Sequence, residues 1–212
     1  MTRREQGARR RRSGGFALVT VLLLLLVVTV LSVGAAQLSL VNERGARSDR
    51  DTEIALQAAE AALVDAELDI LGPNPHPSAR LCLFNDKDVA TFVQGCGTGA
   101  NLGLCAPTEP GTTPAWMRAD LSPSGTKSVP FGTFTGQKYL VGKGATPAAL
   151  PRYIVEVIRA QGGWQANRLE SASAGRATHI FRVTAIGFGV EAETQVVLQT
   201  NLYKPVISPG CP

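Results

Sequence analysis

Four cysteines, Cys82, Cys96, Cys105 and Cys211, are the residues of this 212-residue chain with the most chemistry to offer. Such a set can hold a metal or close disulfides. Structural zinc sites gather four Cys or His donors, usually as closely spaced pairs. No Cys-x-x-Cys pair exists here, and the two histidines, His76 and His179, stand at no ligand spacing from a cysteine. Disulfides formed in an oxidising compartment are the better reading, and four cysteines allow three pairings.

The other groupings are weaker. Gly136 to Lys143 has the wrong spacing for a phosphate loop, and Gly144 stands where Ser or Thr should follow the lysine. Gly95, Gly97 and Gly99 neither follow a strand nor open a helix, against a dinucleotide site. Asn85, Asp86 and Asp88 lack the loop glycine and distal acid of a calcium loop and read as a solvated turn. His179 opens an expected strand and its sequence neighbours suggest no base role, and Trp116 and Trp164 read as core or rim residues. No nucleophile, base and orienter can be assembled. We therefore expect no catalytic residue, no metal and no cofactor, and a structural rather than enzymatic role.

The elements that position the cysteines begin with the charge pattern. The formal net charge is +4. Residues 1–15 carry six arginines (Arg3, Arg4, Arg9, Arg10, Arg11, Arg12) against Glu5, a local +5 that leaves the rest of the chain at −1. The basicity belongs to a short leader, so a nucleic-acid partner is not indicated. No charged residue occurs from Ser13 to Asn42, and residues 16–36 are apolar except for Thr20, Thr29, Ser32 and Gly34. As a helix these residues span about 30 Å, the thickness of a bilayer's hydrocarbon core. The arginines ahead of them place the N-terminus on the cytoplasmic side. A cleaved secretory signal has a shorter apolar run. A plain signal anchor fits. A segment cut ahead of the apolar run also fits, because Ser13-Gly14-Gly15 would give a protease an open backbone there.

The helix is expected to continue. No proline lies between Phe16 and Pro73, and helix breakers arrive together at Gly72-Pro73-Asn74-Pro75. Ala55, Ala59, Ala62 and Ala66 recur at helical spacing beside Leu56 and Leu63, with Glu53, Glu60 and Glu67 on another face. One helix over residues 16–71 would be roughly 80 Å long. Gly34 and Gly45 are its weak points, at about 1 kcal/mol each relative to alanine. Residues 72–150 are rich in Gly, Pro, Ser and Thr and read as loops, with a short helix near Asp86 to Val93 and a strand at Gln137 to Val141. Tyr153 to Ile158, His179 to Phe188 and Gln195 to Tyr203 read as strands, joined at the last step by residues 187–193. The fold class expected is α+β: a long N-terminal helix, half of it transmembrane, packed on an antiparallel sheet within residues 151–212, with a disulfide-stapled irregular region between. The part outside the membrane, about 140 residues, is long enough to fold alone.

The stretch Arg12-Ser13-Gly14-Gly15-Phe16-Ala17-Leu18-Val19 resembles a type III (prepilin) signal. Gln57-Ala58-Ala59-Glu60-Ala61-Ala62-Leu63-Val64-Asp65-Ala66-Glu67 is similar to a signature of the PilX minor pilins. So are Phe181 to Gly189 followed by Thr194 to Gln199, and the shorter Gly103 to Pro107 and Thr113 to Trp116. The resemblance covers most of the chain and implies a type IV pilin-like fold. It also implies that residues 1–15 are a cytoplasmic leader, cut between Gly15 and Phe16, with Phe16 then methylated. It implies as partners prepilin peptidase, other minor pilins, the major pilin and the inner-membrane pilus assembly platform. The location would be the inner membrane, with the C-terminal region periplasmic, and then the pilus. Adhesion, aggregation and twitching motility would follow from the pilus.

One position departs from the family's pattern. Most pilins carry glutamate at the fifth mature position, where it pairs with a neighbour's terminal amine; here that position is Thr20. An uncharged hydroxyl can bond back to a helix carbonyl and needs no neighbour. This points to a subunit of the initiation or tip complex, with no subunit ahead of it. K-type minor pseudopilins of type II secretion share the absence, although they resemble a larger, two-part head. A minor pseudopilin of type II secretion or of a competence filament is the second reading. A signal-anchored periplasmic enzyme or binding protein is the third, and it would not be processed by prepilin peptidase.

Overall fold

A computed structural model of the chain describes residues 16–85, 89–109, 111–159 and 179–204. Helix α1 (Phe16–Leu71) runs for 56 residues, and Gly34 and Gly45 do not interrupt it. It ends where the breakers begin. Gly72 takes a left-handed φ of 74° and its N–H donates to Leu68 O at 3.1 Å, which closes the last turn before Pro73. The chain forms two compact units, one through Ser48 and one from Asp49. Within the first, α1 is apolar and exposed, and among the described residues it is the one helix long and apolar enough to cross a membrane.

The second unit pairs the rest of α1 with a five-stranded sheet. The strands are β1 (Leu104–Cys105), β2 (Val129–Pro130), β3 (Arg152–Arg159), β4 (His179–Phe188) and β5 (Gln195–Leu202). A single-turn helix, α2 (Ala115–Arg118), lies between β1 and β2. The order is β1-β3-β4-β5, with β2 also on β3. The three long strands form an antiparallel meander, in register from Arg152↔Ile186 to Arg159↔His179 and from Phe181↔Leu202 to Phe188↔Gln195.

The period-2 pattern of β3 and β4 sorts the two faces. Tyr153, Val155, Val157, Phe181, Val183 and Ala185 turn to α1, where they meet Ala62, Ala66 and Ile70 with Phe84, Phe92, Leu104, Val129 and Phe134. Ile154 faces the other way, into a smaller cluster with Cys96, Cys105 and Ala115. Phe84, Phe92 and Phe181 pack as an aromatic trio, with centroids 5.6–6.2 Å apart.

The structure corrects three expectations. The sheet is mixed, because β1 runs parallel to β3 through Leu104↔Val155 and Cys105↔Glu156. A two-residue strand is too short to leave a periodic signal, and tertiary contacts create it. The described part of the expected helix at Asp86 to Val93 is a turn and an isolated bridge, Val93↔Cys105, with a 3-10 turn following at Gln94–Cys96. Residues 137–141 are not a strand; the edge position there is filled by β2 instead. Among the sequence-predicted features, Gly15, Asp86, Asp88, Trp164 and Cys211 lie outside the described residues.

Candidate assembly surface and its buried support

The surface most able to join other molecules is the apolar part of α1. Phe16 has 78% of its surface exposed, and the leucines and valines that follow it in the apolar run are at least half exposed. Such a surface needs lipid or other helices around it. Its few polar side chains ask nothing of either environment. The Thr20 hydroxyl donates to the carbonyls of Ala17 (2.9 Å) and Phe16 (3.2 Å), Thr29 to Leu26 (2.8 Å) and Ser32 to Val28 (2.7 Å). Each hydroxyl is satisfied by its own helix, which removes the penalty of a bare polar group in hydrocarbon.

Within the second unit, polar groups fasten the sheet and loops to its part of α1. At the start of that unit Asp51 holds the β4–β5 turn. Its carboxylate accepts from the backbone N–H groups of Val190 and Glu191. A hydrogen bond from Thr194, with those backbone bonds, holds the Asp51 carboxyl below its usual range. Beside it the sheet touches the helix backbone. A Cβ on Gly187 would lie 2.1 Å from Ala55 O and 2.3 Å from Ala59 N, and one on Gly189 would lie 2.4 Å from Asp51 Oδ1. Alanine on the helix and glycine on the strand together permit this approach.

Further along, Asp65 and Asp69 continue the alanine face and are buried. Asp69 receives the Arg80 guanidinium through Nε (2.9 and 3.1 Å) and Nη2 (2.7 Å), and the Tyr153 hydroxyl at 2.8 Å. Arg80 also donates to Ala100 O and Leu102 O, at 2.9 and 2.6 Å, and its guanidinium lies 3.7 Å from the Phe134 ring centroid. One ion pair thus joins helix, sheet and irregular region. Asp65 accepts from Gly132 N at 2.9 Å and from the Thr135 hydroxyl. Burial raises its pKa against those two bonds. Burial also drives the Tyr153 hydroxyl well above 10 and lowers Lys204 to about 8, although its ammonium donates to Leu81 O at 2.6 Å.

The far face of the sheet is organised by Glu156 and a disulfide. Glu156 pairs with Arg182 at 2.6 Å across β3 and β4, and it accepts from the N–H and hydroxyl of Thr108. That hydroxyl in turn accepts from Ala115 N, at the first residue of α2. Cys96 and Cys105 form a disulfide. Cys82, in the 3-10 turn Leu81–Leu83, is also disulfide-bonded. Arg152 donates to Ser128 Oγ, Ser128 O, Pro123 O and Gly125 O, and so shapes the loop ahead of β2.

Among the described residues no three His, Cys, Asp or Glu gather as a metal site. Sequence reasoning missed Asp51, Asp65, Asp69, Arg80 and Glu156. For Asp65 and Asp69 a signal existed. They extend the 55-59-62-66 alanine series at the same spacing, and an acid on a buried stripe requires a buried partner.

Two family models match the chain. One, described as PilX N-terminal, matches residues 14–64; the other, described as Type IV pilus assembly protein PilX C-term, matches residues 101–204. The chain belongs to the PilX family. No curated protein and no solved structure matches it. The N-terminal PilX match takes in the apolar helix and Asp51, and the C-terminal match takes in Cys105 and all five strands. Membership makes the chain a type IV pilus minor pilin, a structural subunit that associates with other pilins. The exposed apolar part of α1 fits membrane anchoring and pilus assembly.

Proposed function

We propose that this PilX-family chain is a prepilin cut between Gly15 and Phe16, inserted with its N-terminus cytoplasmic, that enters the initiation or tip complex of a type IV pilus. The observation that carries this reading is Thr20. It lies one turn beyond Phe16 on an uninterrupted helix, is neutral and is bonded to its own backbone. A glutamate at that depth would need a partner to offset a few kcal/mol in lipid; Thr20 needs none. The subunit can therefore lead a filament, with no neighbour ahead to supply an amine. Support for pilus assembly, and through it adhesion, aggregation and twitching motility, would be its cellular effect. Its partners would be other minor pilins, the major pilin, prepilin peptidase and the inner-membrane assembly platform. Thr20 also fits a minor pseudopilin, but the matches at both ends of the chain are to the pilus family.

The test is intact and N-terminal peptide mass of the protein expressed with and without prepilin peptidase. Loss of residues 1–15 and a methylated Phe16, only with the peptidase, is the expected result. A retained arginine leader overturns the reading. Thr20→Glu tests the position: relocation along the shaft without loss of assembly supports it, and no change in either refutes it.

A further inference from the structure

Two exposed surfaces of the second unit complement each other, and neither finds an ion-pair partner among the described residues. The first is the outer face of α1, where Glu53, Gln57, Glu60, Val64 and Glu67 are exposed at successive helical turns. Apart from the bond from Gln57 to Glu53, at 3.0 Å, none of the three glutamates has an ion-pair partner among the described residues. Val64, in their midst, is 56% exposed.

The second is the strap from Gly132 to Ala148. Its ends are fixed: Gly132 N donates to Asp65, and Ala148 N donates to Gly189 O at 2.7 Å, beside Asp51. It therefore passes from the level of Asp65 to that of Asp51, fourteen helical residues or about 21 Å. Glu53 to Glu67 covers the same length of helix. The strap contains no acid. It exposes Lys138 and Lys143 on either side of Leu140, which is 82% exposed, and neither lysine has a salt-bridge partner among the described residues. Internal bonds hold the lysines out: Tyr139 packs edge-on against Phe131 at 5.1 Å, and Gly142 N reaches Pro147 O at 2.8 Å.

We propose that the strap of one copy docks on the acidic stripe of α1 in a second copy, with Lys138 and Lys143 against the glutamates and Leu140 against Val64. The contact joins two different patches, so it is head-to-tail and leaves one strap and one stripe free to continue the assembly. The inference rests on the pilin reading in that the copies must lie side by side with their helices in the same sense.

The experiment uses the full chain in detergent micelles, mixing isotopically heavy and light protein. Sedimentation equilibrium measures association, and zero-length carboxyl–amine crosslinking with peptide mass mapping locates it. Heavy–light links from Glu60 or Glu67 to Lys138 or Lys143 are expected, with association weakened by salt. Lys138→Glu with Lys143→Glu should weaken self-association about tenfold or more. Mixing that variant with Glu53→Lys, Glu60→Lys and Glu67→Lys should restore it. Near-ultraviolet circular dichroism checks that each variant is folded. Links confined to one isotope, or association indifferent to the charge reversal, overturn the proposal. Processing by prepilin peptidase, followed on the same preparations, reports on the pilin reading separately.

Discussion

Replacing Asp69 by asparagine keeps the shape of the side chain and removes one charge from the centre of the second unit. Arg80 stays behind, buried, with its bonds to Ala100 O and Leu102 O and its stacking on Phe134, but without its ion-pair partner. Breaking a buried pair from one side typically costs about 3–5 kcal/mol, because the desolvated charge that remains is uncompensated. The Tyr153 hydroxyl still finds an acceptor in the amide oxygen, so that hydrogen bond adds little to the loss. For a chain of this size each kcal/mol moves Tm by about 2–4 °C, so Asp69→Asn should lower it by roughly 6–20 °C. Thermal unfolding of the full chain in detergent, followed by near-ultraviolet circular dichroism, measures this. Arg80→Met removes the guanidinium and keeps most of the stem's packing. The double variant should therefore be more stable than the sum of the two singles by about 1–3 kcal/mol. A Tm for Asp69→Asn within about 2 °C of the parent, or additive singles, would refute the view that this ion pair organises the core.

Gly187→Ala should destabilise the second unit by about 1–3 kcal/mol or more, because its Cβ would meet Ala55 O at 2.1 Å and backbone cannot yield as a side chain can; thermal melts measure it. Asp65→Asn should have the opposite sign. The carboxyl's folded pKa is raised, so its contribution to stability is present at low pH and is lost as pH rises through that pKa. The asparagine variant should then gain on the parent at neutral pH and lose that advantage in acid, which denaturant titrations at several pH values would show. Removing the Cys96–Cys105 bond by a double Cys→Ser change should cost about 2.5 kcal/mol in the chain-entropy view for a loop of this size. Non-reducing peptide mapping should show Cys82 joined to Cys211, the cysteine that remains once Cys96 and Cys105 are paired.

The long elements were legible because each repeats a simple signal many times. An uninterrupted run closed by Gly72 and Pro73 gives the C-terminal end of α1 at Leu71. Alternation placed the end of β4 at Phe188, and the start of β3 and both ends of β5 to within a residue. The irregular region was not legible, because contacts distant in sequence determine it. β1 exists because Cys105 lies opposite Glu156 and is bonded to Cys96, and β2 because Arg152 gathers the loop before it. The Asp69–Arg80 pair was invisible for the same reason: Arg80 stands in a proline-rich stretch with no period to assign it a face. The site also hid in residues with little side chain. Gly187 and Gly189 offer no side chain to read, and it is the missing Cβ that lets the strand reach the helix backbone.

The two parts of α1 solve different problems with the same backbone. A helix that is first surrounded by lipid and later by other helices must not carry a polar group that only one surrounding can satisfy. Thr20, Thr29 and Ser32 meet that condition by bonding to carbonyls three or four residues earlier, so the bonds travel with the helix. From Asp49 onward the requirement is reversed, because the helix must hold one partner in one register. Alanines alone give a smooth surface that can slide. Asp51, Asp65 and Asp69 break the degeneracy, each binding groups from a different segment: the β4–β5 turn, the strap, and Arg80 with Tyr153. If that division is correct, substitution of any of the three acids by alanine should loosen the second unit and leave insertion of the apolar part unchanged. Membrane extraction with carbonate, compared with protease sensitivity of the second unit, separates the two. Loss of membrane retention in Asp51→Ala would show that the parts are not independent, and the argument from self-satisfied hydroxyls would fail with it.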